Sequence, residues 1–244
     1  MKKLATVLIS SFIVLSCNED NDITVKLGTG NLISSGGGTS SSVYYTPAKA
    51  LKDASSFPIG IAMSQNQASS TNFTTIAKKE FNSVTAGNEM KFSTHSPTQG
   101  TYNWAPGDAI INFAQTNNMR VHGHTLIWHQ QVPTWVTNFT GTNAEFEAAI
   151  KTYVTNVVTH YKGKVASWDV VNEAFNEDGS LRSTIFSQKL GSNYITKIFQ
   201  WARAADPNAK LFYNDYNLES NVNKAEAAIA LINANPTLID GIGL

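Results

Sequence analysis

The run Val165-Ala166-Ser167-Trp168-Asp169-Val170-Val171-Asn172-Glu173 reads as an apolar strand that ends on a carboxylate. Burial at such a position raises a carboxyl pKa, and a general acid needs a raised pKa to hold its proton near neutral pH. The amide of Asn172 beside it can donate to a hydroxyl oxygen. An isolated Asn-Glu pair more often caps the following loop, so the reading depends on the company it keeps. Three further polar clusters each follow a strand-like run: Asn88-Glu89-Met90-Lys91, the stretch from His124 to His129, and Asn214-Asp215-Tyr216-Asn217. Asp169 precedes Glu173 by four residues, an even number, so strand alternation can turn both inward. Asp169 is expected to sit behind the site rather than touch a substrate.

Residues placed this way need a scaffold that gathers strand ends. Six strands are expected, at Pro58–Met63, Phe81–Ala86, Arg120–Ile127, Val165–Val171, Lys210–Asn214 and Ile239–Leu244. Between the third and fourth, Phe146, Ile150, Val154, Val157, Val158 and Tyr161 recur at helical spacing, with Lys162-Gly163 as the stop. Ile195, Ile198, Phe199 and Ala202 give a second helix ending near Asp206-Pro207, and an alanine-rich third runs from Asn221 to Asn235 before Pro236. Strand then helix, repeated, leaves an open doubly wound sheet or a (β/α)8 barrel. A dinucleotide-binding sheet places a glycine-rich turn after its first strand, but Met63-Ser64-Gln65-Asn66-Gln67 has no glycine. In a barrel, polar clusters follow the strands at the C-terminal face, as they do here.

Four of these runs, in order, are Gly87-Asn88-Glu89-Met90-Lys91, Gly123-His124-Thr125-Leu126-Ile127-Trp128-His129, Trp168-Asp169-Val170-Val171-Asn172-Glu173-Ala174-Phe175 and Tyr213-Asn214-Asp215-Tyr216-Asn217. Together they resemble glycoside hydrolase family 10, the endo-β-1,4-xylanases, over about Ala48 to Leu244. The resemblance implies a (β/α)8 TIM barrel, here about its first five and a half βα units, and a retaining glycosidase with Glu173 as acid/base. It places Asn88, Lys91, His124, Trp128, Gln131, Asn172, Tyr216 and Asn217 on sugar-binding positions, with xylan or a xylo-oligosaccharide as the partner and no cofactor or metal. The chemistry agrees: pyranose rings have apolar faces for Trp128 and Tyr216 and polar edges for Lys91, Asn88, His124 and Gln131. Asn172 would serve the hydroxyl whose hydrogen bond strengthens in an oxocarbenium-like transition state. Trp104, Trp168 and Trp201 are expected to pack in the interior.

The chain departs from the family at two points. A glutamate commonly precedes the Asn-x-x-Lys core, where this chain has Gly87. Retention also needs a second carboxylate about 5 Å from the first as nucleophile. In the family it lies on the seventh strand, whereas Gly241-Ile242-Gly243-Leu244 falls in the sixth. Asp240 starts the sixth strand, at the opposite end of the barrel, and Glu219 and Glu226 belong to the fifth loop and helix, so none is expected to serve. A non-catalytic xylan-binding lipoprotein, or an inactive fragment, is therefore the competing reading. His122-Gly123-His124, with His129 near, is also similar to the paired histidines of metal-dependent barrel hydrolases, but only His160 follows, in a helix.

Composition narrows the partners. Lys and Arg number 18 and so do Asp and Glu, which leaves no excess positive charge to displace counterions from a phosphate backbone. Nucleic acid is not an expected partner. One cysteine, Cys17, excludes an intrachain disulfide framework. Lys2 and Lys3 precede the largely apolar stretch Leu4 to Leu15. Twelve helical residues reach only ~18 Å, short of a bilayer core of roughly 30 Å, so this is an export signal rather than a span. Val14-Leu15-Ser16-Cys17 looks like a bacterial lipobox, which implies residues 1–16 as signal peptide, lipidation of Cys17 and a membrane anchor. The protein would then be exported and periplasmic or at the cell surface. An ordinary signal peptide with an incidental cysteine is the alternative. Residues 17–44, rich in Asn, Asp, Gly and Ser, are expected to be a flexible tether, and 45–244 the partial barrel.

Overall fold

The computed structural model describes residues 49–244. The expected signal peptide, Cys17, the tether and the first residues of the barrel domain lie outside them. All six expected strands are present: β1 (Gly60–Met63), β2 (Ser83–Ala86), β3 (Arg120–Trp128), β4 (Ser167–Asn172), β5 (Lys210–Asn214) and β6 (Gly241–Gly243). They form one sheet in the order β1-β2-β3-β4-β5-β6 with every neighbouring pair parallel. A doubly wound sheet reverses its strand order at a switch point; this one never reverses. Each crossover carries a main helix: α1 (Thr71–Glu80), α2 (Ala105–Thr116), α3 (Asn143–His160), α4 (Tyr194–Ala205) and α5 (Val222–Ala234). The arrangement is a (β/α)8 barrel over its first six strands, with β1 and β6 unpaired with each other among the described residues. No helix among the described residues is long and apolar enough to cross a membrane.

Local chemistry explains the elements that position the site. α3 opens with a capping box, in which the Thr142 hydroxyl accepts from Glu145 N and the Glu145 carboxylate accepts from Thr142 N. Its Phe146, Ile150, Val154, Val157 and Val158 are fully buried, and the chain leaves it through Tyr161 and Gly163, the latter at φ 73°. Every residue of β4 is buried, as both faces of a parallel strand are when helices cover one and the barrel interior the other. Trp168 turns outward against Tyr161, their rings 6.0 Å apart, while Gly123 on β3 leaves the room it fills. A Cβ at Gly123 would lie 2.2 Å from Trp168 Cε3.

Strand ends differ from the expectation. β1, β2, β4 and β6 each begin two residues later, because Pro58, Phe81, Val165 and Ile239 precede the first ladder pair. Trp128 and Asn172 are the last residues of β3 and β4. Simple alternation does not carry β4 from Asp169 to Glu173. The ladder to β5 shifts between Asp169 and Val171, and Glu173 stands beyond the strand at φ 54°.

Candidate active site

The residues expected at the site all lie at or beyond the C-terminal strand ends, apart from His124 and Asp169 within β3 and β4. After β2, Lys91 Nζ donates to Asn88 Oδ1 at 2.9 Å, and Gln131 Nε2, from the loop after β3, donates to the same oxygen at 3.2 Å. Lys91 Nζ also lies 5.2 Å from the centroid of the Trp128 ring. Burial pulls the Lys91 ammonium below its usual range, with the Glu89 and Glu173 charges acting against that shift. Trp128 reaches β4: with the Asn172 amide turned so that its oxygen accepts from Trp128 Nε1 at 3.3 Å, its nitrogen donates to Asn214 O at 3.1 Å. Asn88, Lys91, Gln131, Trp128 and Asn172 are thus one connected cluster.

Asp169, three residues earlier on β4 than Asn172, holds two histidines of β3. Its Oδ2 accepts from His124 Nδ1 at 2.8 Å and from His122 Nε2 at 2.9 Å. Burial pushes the Asp169 carboxyl up, but the two histidine donors outweigh it, and the net pKa falls below the usual carboxylate value. Asp169 thereby holds the His124 ring with its Nδ1–H toward the carboxylate. His122 Nδ1 meets Ser167 Oγ at 2.7 Å, so this histidine is occupied inside the barrel.

Glu173 is half-buried, and its backbone is held on both sides: its N–H donates to Asn214 O at 2.9 Å and its carbonyl accepts from Arg182 Nε at 3.1 Å. Among the described residues four non-glycine residues have left-handed backbones, and three of them, Gln131 (φ 48°), Glu173 (φ 54°) and Asn217 (φ 61°), are candidate site residues. Such conformations cost of order 1–3 kcal/mol each and persist where the surroundings impose them, commonly at functional loops. The fourth, Asn118, ends α2, where an asparagine often takes this conformation. Tyr216 is 44% exposed and Asn217 is exposed, both beyond β5.

At Gly87 a Cβ would meet only Glu89 Oε2, at 3.8 Å, and Met63 O, at 3.9 Å. Space for a side chain exists there, and the Glu89 carboxylate borders it. Of the other carboxylates at this end, Glu89, Asp169 and Asp215 are committed to protein donors, whereas Glu219 is exposed in the loop after β5. Glu89 accepts from Gln65 N and Asn88 N, Asp169 from two histidines, and Asp215 from Tyr213 Oη, Tyr216 N and Lys224 Nζ. Asp240 lies at the opposite end of the sheet, paired with Arg203 and Lys210. Three side chains that sequence reasoning did not assign also belong to this region. Arg182 clamps the loop after β4, and no motif marks it. His129, whose Nδ1 is buried without a partner among the described residues, is held below its usual pKa by burial and the Arg182 charge. Lys224, on α5, has no sequence signal.

Comparison with known proteins places this geometry. The family model described as Glycosyl hydrolase family 10 matches residues 48–244. Endo-beta-1,4-xylanase Xyn10C of Cellvibrio japonicus is 43% identical over 208 residues, which cover 78% of this chain and 34% of that protein. Endo-1,4-beta-xylanase D of Talaromyces funiculosus is 45% identical over 168 residues, 68% of this chain and 41% of that protein. Among solved structures, native xylanase 10B from Thermotoga maritima superposes with a TM-score of 0.75 at 37% identity, covering 79% of this chain and 62% of that one. Xylanase 10B from Thermotoga petrophila, solved in complex with xylobiose, gives 0.75 at 36% identity, covering 82% and 63%. This chain spans about half the length of the curated relatives it matches, 34% of the Cellvibrio japonicus protein and 59% of Endo-1,4-beta-xylanase B of Thermotoga neapolitana.

Proposed function

The chain belongs to glycosyl hydrolase family 10, and from that premise we propose that the whole protein hydrolyses internal β-1,4 bonds of xylan with retention of configuration. The observation that carries this reading is Glu173 on its left-handed turn beside the linked cluster of Asn172, Trp128, Lys91, Asn88 and Gln131. In it Glu173 protonates the departing glycosidic oxygen and then, as carboxylate, takes a proton from the water that frees the sugar. Trp128 and Tyr216 stack on pyranose faces, while Asn88, Lys91, His124, Gln131 and Asn217 hold ring hydroxyls. Asn172 strengthens its bond to a ring hydroxyl as positive charge develops, and Asp169 keeps His124 oriented.

Because Glu89, Asp169 and Asp215 are each held by protein donors, and the family's nucleophile lies on a seventh strand, the proposal assigns the nucleophile to a part of the whole protein outside residues 49–244. The same commitment favours one competing reading, a protein that binds xylan without cleaving it. Following the anomeric signal of freshly cleaved xylo-oligosaccharide by NMR separates the possibilities. The β anomer appearing first supports the proposal, the α anomer first rejects retention, and binding without turnover selects the competitor.

Export and a lipid anchor at Cys17 complete the proposal, supported by the Lys2-Lys3, apolar and Val14-Leu15-Ser16-Cys17 pattern. Cys17→Ser is expected to release the protein from membrane fractions, since acyl chains contribute ~0.8 kcal/mol per buried CH₂. A Cys17→Ser protein that still sediments with membranes would reject lipidation as the anchor.

A further inference from the structure

Lys224 sits near the start of α5, just past the N-cap Asn221, and buries its side chain completely, at 0% exposure. An ammonium so enclosed needs compensating partners. Its Nζ donates to Asp215 Oδ1 at 2.8 Å and to Glu177 Oε1 at 3.2 Å, and lies 3.4 Å from the centroid of the Tyr216 ring. Asp215, equally buried, also accepts from Tyr216 N at 2.9 Å and from the Tyr213 hydroxyl, which itself accepts from Ala174 N at 3.0 Å. Lys224 therefore grips Tyr216 at its backbone, through Asp215, and at its ring. One ring face covers the ammonium, so the surface that makes Tyr216 44% exposed is the side turned away from Lys224.

We propose that Lys224 is a positioning residue that fixes the ring of Tyr216, ready to stack on a pyranose. This rests on the function proposed above. A structural ion pair would need only Asp215 and Glu177; the ring seated on the ammonium adds a contact whose consequence is felt at the exposed face. Holding an aromatic side chain in place before the ligand arrives removes the ordering cost of binding, which sets the expected effect at about three- to tenfold in affinity.

The test compares wild type with the Lys224→Met, Asp215→Asn pair, which removes both buried charges together, and with Lys224→Arg, each with and without Tyr216→Ala. KM for xylo-oligosaccharide is expected to rise about three- to tenfold in the neutral pair, more than kcat falls. Lys224→Arg restores most of the loss. In the Tyr216→Ala background the neutral pair should no longer change KM. An equal rise with and without the ring, or a loss confined to kcat, would overturn the proposal. If the neutral pair does not fold, proton NMR on the soluble protein decides. The Lys224 Cε protons should move downfield when Tyr216→Ala removes the ring current, and an unchanged shift would reject the contact. A wild type inactive on xylan overturns the function and this proposal together; an active wild type whose KM ignores Lys224 overturns this proposal alone.

Discussion

His95 shows most plainly how burial sets chemistry at a single residue. Its ring is fully enclosed, Nε2 lies 3.1 Å from Tyr161 Oη, and Nδ1 has no partner among the described residues. Burial, helped by the charge of His160, holds its pKa down at about 3, against an ordinary 6.5. The folded protein keeps His95 neutral where the unfolded chain would protonate it, so the stability from this site is complete above pH 6.5. It is lost as pH falls through that value toward 3, at about 1.4 kcal/mol per pH unit. Urea unfolding at pH 7, 6 and 5 should show the loss steepening toward that slope below pH 6, and His95→Gln should flatten it. At the same scale, the candidate site was legible where chemistry is written in contiguous runs, as in Asn172-Glu173 or Asn88 with Lys91 three residues on. Lys224 was not, because Glu177 lies 47 residues away, Asp215 sits across a loop, just past the end of β5, and a lysine on a helix ordinarily reads as a solvated charge.

Among the elements, β3 and β4 pair with Gly123 opposite Trp168, whose ring occupies the space a Cβ at Gly123 would need. Gly123→Ala should cost about 1–3 kcal/mol by overpacking, and less in a Trp168→Phe background, where the ring that a Cβ would strike is smaller. Denaturant midpoints of the four proteins measure this; an equal cost in both backgrounds would show that the clash is not the cause. Thr142→Ala should remove about 1 kcal/mol by uncapping α3, again read from unfolding. The helix α3 was legible because five of its apolar positions recur at helical spacing and all are buried. α1 was not: its apolar residues are only Phe73, Ile76 and Ala77, a stripe of three of which Ile76 is exposed and only Ala77 is fully buried, too short to set a helical period apart from its Thr and Lys neighbours. α2 hides behind Pro106 and Gly107 at its start, which read as a turn. The register shifts in β3 and β4 have no sequence signature, and they defeat counting by twos from Asp169 to Glu173.

For the whole molecule, the sequential parallel order makes β1 and β6 the two edges of the described sheet. Unpaired strand edges recruit other chains, so residues 18–244 purified alone should self-associate with rising concentration and release little reducing sugar from xylan. Sedimentation velocity across a concentration series, beside a reducing-sugar assay, checks both; brisk turnover lost in Glu173→Ala would mean that a carboxylate within residues 18–244 serves as nucleophile. The barrel itself was legible from the alternation of strand-like and helical runs and from the polar residues after each strand. His124 was legible as a sugar-binding position by resemblance, and the His122-Gly123-His124 pair as similar to a metal site; in the structure both histidines donate to Asp169. The central claim is that Glu173 delivers the proton to the leaving sugar. It is tested most directly by hydrolysis in the whole protein with Glu173→Ala, comparing xylan with aryl xylobiosides whose leaving groups need little protonation. The account predicts a loss of ~10²–10⁴-fold on xylan and a far smaller one on the activated aryl substrates. Equal losses on both would contradict it.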